Sequence, residues 1–108
     1  MMRVGMYTVY DSAANAYLPP WACPSTAVAM RLIHVAVQNP EHDFHKFSTS
    51  YQLFHVGYFD NETGVIEGTA GLTNLGTVGS IAARVDSQIA AAASAASTLQ
   101  GGIPAEEV

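Results

Sequence analysis

Four histidines, one cysteine and nine carboxylates are the side chains here that can hold a metal or move a proton. His42-x-x-His45 has a spacing that binds zinc, with Asp43, His55 and Cys23 as further candidate ligands. The pair stands in a polar loop with no second paired motif, so solvated loop histidines are the simpler reading. His55 falls in an apolar strand and reads as a hydrogen-bonded sheet residue. Cys23 has none of the surroundings of a catalytic nucleophile and reads as a small buried hydrophobe. Asp60 and Glu62 are near neighbours, but acid–base work needs a dry cleft, and hairpin turns use the same residue types. Gly68, Gly71, Gly76 and Gly79 lack the G-x-G-x-x-G spacing and the GK[ST] element of a phosphate loop, and read as a linker. No catalytic residue, metal or cofactor is assigned from these patterns, and the chain reads as a non-enzyme.

The aromatic residues are a stronger signal. All ten lie between Tyr7 and Phe59. Displayed on a sheet, Tyr7, Tyr10, Tyr51, Phe54, Tyr58 and Phe59 offer stacking platforms for single-stranded nucleic acid. The competing reading makes them a core and a dimer interface. It is favoured because Arg3, Arg31, Lys46 and Arg84 are too scattered to form a basic funnel. The 4 basic and 9 acidic residues leave a formal net charge of −5, so phosphate-driven binding is excluded and any contact with single-stranded DNA is weak.

The elements that must position these residues are legible in outline. The 108 residues are one domain's worth, and 49% are hydrophobic. Only 12% are charged, well under the usual quarter, which points to self-association or a partner. Arg3 to Tyr10 is rich in Val, Thr, Tyr and Met and reads as a strand. A second extended segment, Ala16 to Ala22, is irregular or at an edge because Pro19-Pro20 cannot donate ladder hydrogen bonds. Ser25 or Thr26 caps a helix over Ala27 to Gln38, on which Arg31, His34 and Gln38 form a narrow polar stripe. Asn39-Pro40 stops it. Ser50 to Phe59 is the clearest strand, with Tyr51, Leu53, His55 and Phe59 on one face and Gln52, Phe54, Val56 and Tyr58 on the other. Asp60 to Gly64 is a hairpin turn with Gly64 placed for a left-handed conformation, and Val65 to Thr69 returns. The fold class is α+β: a small antiparallel β-β-α-β-β sheet with one helix on a face. This core spans 1–67. A glycine-rich linker at 68–79 and an alanine-rich helix with a mobile end at 80–108 follow.

The order of the motifs carries a family resemblance. Tyr7-Thr8-Val9-Tyr10-Asp11, then Tyr17-Leu18-Pro19-Pro20-Trp21, then the helix with Ala27-Val28-Ala29-Met30-Arg31, lead to Gly57-Tyr58-Phe59-Asp60-Asn61-Glu62-Thr63-Gly64. Over residues 6 to 66 this resembles the small nonstructural protein of gokushovirus-type microviruses, which are single-stranded DNA phages. The resemblance implies a non-virion accessory of viral DNA replication or genome packaging, with no catalytic residue in the shared pattern. The segment after residue 68 reads as an extension particular to this chain. The acidic charge favours a phage or host protein as partner over DNA. A virion-associated or structural interaction module is the alternative.

Two further expectations concern surroundings. No apolar run approaches the roughly 18–20 residues of a membrane span, and the first residues lack a secretory h-region, which places the protein in the host bacterial cytoplasm. A single cysteine fits a reducing compartment. The strand Ser50 to Phe59, apolar on both faces beside a single helix, predicts a two-fold dimer unless the alanine-rich tail folds over the uncovered face.

Overall fold

A computed structural model describes residues 3–101. The strands are β1 (Arg3–Asp11), β2 (Ala16–Tyr17), β3 (Trp21–Cys23), β4 (Tyr51–Asp60) and β5 (Ile66–Thr77); the helices are α1 (Thr26–Gln38), α2 (Asp43–Lys46) and α3 (Val78–Gly101). The protein is α+β, with one antiparallel five-stranded sheet. β1 is central. It pairs with β4 along its whole length on one side, and with β3 and then β2 on the other. β5 pairs with β4 and forms the far edge.

Local chemistry explains most boundaries. The extended segment after β1 is split into β2 and β3 where Pro19 and Pro20 remove two N–H donors. Ser25 caps α1, its hydroxyl accepting from the Val28 N–H at 3.2 Å. Asn39, ahead of Pro40, leaves the helical region at φ −84°, ψ 110° and ends it. Asp60 makes the hairpin turn. Its Oδ1 accepts from the N–H groups of Glu62 and Thr63, and Gly64 sits at φ +77°, the left-handed conformation expected of it.

One face of the sheet is covered. Tyr7, Val9, Tyr51 and Leu53 point to it and join Ala29, Met30 and Ile33 of α1, Phe44 of α2, and Val78, Ile81 and Val85 of α3 in a single core cluster. Leu53 and Ile81 are fully buried. Burying a side chain of this size contributes about 1.5–3 kcal/mol. Cys23 belongs to the same core, 2% exposed.

Besides the short helix α2 with buried Phe44, which stands where a polar loop was expected, the structure differs from the sequence-based expectation in four places. The segment 68–77 is strand rather than linker: it is the outer length of β5, paired with β4 at Gly68 and again from Thr73 to Thr77, with 69–72 bulging out of the ladder. Glycine and threonine are tolerated there because an edge strand needs a partner on one side only. The alanine-rich helix begins at Val78, without an intervening loop, and its first two turns are core. It lies on the same face as α1, so it does not cover the opposite face of the sheet. On α1, His34 is buried and bonded through Nε2 to Asp86 Oδ1 of α3 at 2.7 Å, whereas Leu32 and Val35 face outward. The middle of the α1 polar stripe is therefore an inter-helix contact, while Arg31 and Gln38 at its ends stay exposed. The fourth difference is a bulge. Between Met6 and Tyr7 the β1–β4 register slips, leaving Val56 unpaired. Beyond it the faces exchange: Tyr58 joins His55 on the helix side and Phe59 turns to the other.

Candidate functional site

The face of the sheet without helices carries the most distinctive side chains. β1 contributes Met6, Thr8 and Tyr10; β4 contributes Gln52, Phe54 and Phe59; β2 adds Tyr17. Tyr10 and Tyr17 have ring centroids 4.8 Å apart, and Tyr17 meets Phe54 edge-on at 5.5 Å. Three rings therefore form a contiguous patch, with Tyr17 46% exposed. Its rim is polar and fixed. Tyr10 donates from Oη to Asn15 Oδ1 at 2.6 Å, and Asn74 Nδ2 donates to Gln52 Oε1 at 2.8 Å. Thr8, beneath the patch, donates from its hydroxyl to the Leu18 carbonyl and holds the chain segment bearing Tyr17 against β1.

The charge on this face is as informative as its rings. Arg3 lies on the helix side, its guanidinium 4.2 Å from the centroid of the Tyr58 ring and 3.6 Å from Glu67. Arg31 is on α1, Lys46 on α2 and Arg84 on α3. None of the four basic residues reaches the Tyr10–Tyr17–Phe54 patch.

The six aromatics expected to share a surface are divided among five places. Tyr7 is 2% exposed, shares a 2.7 Å hydrogen bond with Thr26 Oγ1 and packs beside Trp21 and His55. Tyr51 is buried against Phe44 at 4.7 Å. Burial, with Asp11 and Asp43 nearby, raises the Tyr51 phenol above the usual tyrosine range. Tyr10 and Phe54 belong to the open patch. Tyr58 closes the Arg3 end of the sheet, and Phe59 pairs with Val4 and Ile66 on the open face. The residue that sequence reasoning missed is Tyr17. Its neighbours Pro19 and Pro20 marked the segment as irregular, yet its pairing with Tyr10 sets the third ring of the patch. Asp60, the last residue of β4, and Gly64 bracket the turn.

The histidines have structural tasks. His42 Nδ1 accepts from the Phe44 N–H at 3.0 Å and caps α2, and His45 Nδ1 contacts the Val37 carbonyl at 2.7 Å. His55 lies between the Tyr7 and Tyr58 rings. Among the described residues no group of three or more His, Cys, Asp or Glu side chains is placed to hold a metal ion. No helix among them is long and apolar enough to cross a membrane.

Fold and surface together define a small α+β protein whose sheet is sealed by helices on one side and displays a ring cluster on the other. Residues 4–81 match the phage ORF5 protein family, and the chain belongs to it. It is a phage accessory protein. The match runs past the 6–66 span of the sequence resemblance and takes in all of β5 and the first turn of α3, so those elements are not particular to this chain. Comparison with curated proteins and with solved structures finds no match.

Proposed function

We propose that this is a non-enzymatic accessory protein of a gokushovirus-type microvirus that acts in single-stranded DNA replication or genome packaging by holding another phage or host protein. The observation that carries the reading is the Tyr10–Tyr17–Phe54 patch without a basic residue. Single-stranded DNA is held by stacking rings together with a positively charged groove that tracks the backbone. Here the rings are present and the groove is missing, while exposed tyrosines with a fixed polar rim are the composition of a protein contact. The work is done in the host cytoplasm, where the viral genome is copied.

The test is a phage carrying Tyr17→Lys or Phe54→Lys in this chain. Both side chains project from the open face, so the purified variants keep the melting temperature within a few degrees. Infected cells are expected to accumulate duplex replicative DNA normally and to lose single-stranded genomes or filled particles. A normal yield of particles from folded variants overturns the reading. Stoichiometric recovery of the protein in purified particles would instead establish the virion-associated module.

A further inference from the structure

α1 and α3 pack side by side and leave a groove of about 310 Å³ between their outer surfaces. Val35, Val85, Ile89 and Ala92 line it together with Arg31, His34 and Gln88, and Val35 (64%) and Ile89 (55%) are among the most exposed large hydrophobic side chains described. The groove continues an interface that the chain has already built. Along α3, Val78, Ala82, Val85, Ile89 and Ala92 are spaced alternately four and three residues apart. That is the 3.5-residue repeat on which a second helix packs. Val78, Ala82 and Val85 are buried within the chain, and Ile89 and Ala92 continue the same seam uncovered.

Charge identifies what fits there. Arg31 stands exposed on the α1 wall and forms no ion pair among the described residues. Asp86 stands on the α3 side; its side chain is 64% exposed, and Oδ1 holds His34. An antiparallel pairing of two α3 helices about a two-fold axis at Ile89 sets Ala92 of each opposite Asp86 of the other. Arg31 lines the same groove as Ala92, within reach of a carboxylate seated there from the second copy, and symmetry makes the contact twice. We infer that the α1–α3 groove is the docking site for a second copy of this chain, seated antiparallel on Ile89 with reciprocal Arg31–Asp86 contacts. The groove supplies both halves of its own charge complement, which an unrelated partner does not require. Ala92 lets the two helices approach closely.

This surface is on the opposite side of the sheet from the Tyr17 patch, so the two proposals stand or fall separately. Sedimentation equilibrium of the full chain from micromolar to millimolar concentration is expected to show a monomer–dimer equilibrium. Ile89→Lys and Arg31→Glu each raise the dimer dissociation constant about tenfold or more. Because both positions are exposed, neither lowers the melting temperature of the monomer. Arg31→Glu combined with Asp86→Arg recovers part of the loss. Ile89→Cys, at the axis, gives a disulfide-linked dimer on mild oxidation, and Tyr17→Lys leaves association unchanged. A chain that stays monomeric over the whole range, or a dimer indifferent to Ile89→Lys, overturns the proposal.

Discussion

A methyl group on residue 57 would lie 2.2 Å from the Glu67 carbonyl oxygen, so β4 and β5 approach there only because the residue is glycine. Gly57→Ala is expected to cost about 1–3 kcal/mol by forcing the two strands apart. Gly64 has open space around it, and its constraint is the backbone angle alone. Gly64→Val is expected to cost about 1–2 kcal/mol. Thermal melts check both, since about 1 kcal/mol moves the midpoint of a domain this size by about 4–8 °C; an unchanged midpoint contradicts either assignment. Tyr51 adds a pH dependence. Its phenol is raised in the folded protein above its ordinary value near 10, so folding favours the protonated form. The stabilisation is complete below the unfolded value and is lost as pH rises through the folded one. Tyr51→Phe should flatten the alkaline limb of the stability profile, measured by urea unfolding between neutral pH and strong alkali. Gly64 was readable from sequence because a turn motif announces a left-handed residue locally. The burial of His34 was not, because its partner Asp86 lies 52 residues away.

Within α3 the two ends have different duties. Ile81 is fully buried and Ile89 is more than half exposed. Ile81→Ala should cost about 2–5 kcal/mol. Ile89→Ala should change the stability of the isolated monomer by less than about 0.5 kcal/mol. Urea unfolding of the two variants at low protein concentration separates these outcomes. A chain cut after Glu67 loses Val78, Ile81 and Val85 from the core and should fail to fold, so it cannot serve as a minimal sheet domain. Circular dichroism of that fragment gives the check. The order of strands and the capped helix α1 were legible because periodicity, caps and prolines act over a few residues. β5 was legible only as far as Thr69. Beyond it the glycines and Ala70 weaken the local strand signal, and the register with β4 resumes only at Thr73, past a bulge that no local pattern announces. The bulge at Val56 also escaped strict alternation, although Gly57 beside it is the kind of residue that marks one. That single slip decides which of Tyr58 and Phe59 faces the helices.

For the whole molecule, the distribution of charge matters more than its sum. The four cations lie on the helix side or on the helices, so a titration of labelled single-stranded DNA is expected to show weak binding with little salt dependence. Tight binding with a steep salt slope would reveal a basic surface that this arrangement lacks. The location of the ring patch was only half legible: sequence named Tyr10 and Phe54, but the side of the sheet left bare depends on where α3 docks. The central position of β1 has a consequence for how the protein is made. β1 precedes β4 by a long stretch of chain, yet Asp11 pairs with Tyr51 and Arg3 with Asp60. This central strand must therefore wait for some forty residues of further synthesis before its main partner exists, and the core closes only when α3 follows. Such non-local pairing folds slowly compared with helical bundles. Through that interval β1 has only the short strands β2 and β3 to pair with and its β4 edge is open, so the yield in an infected cell should depend on how well the host's chaperones shield that edge.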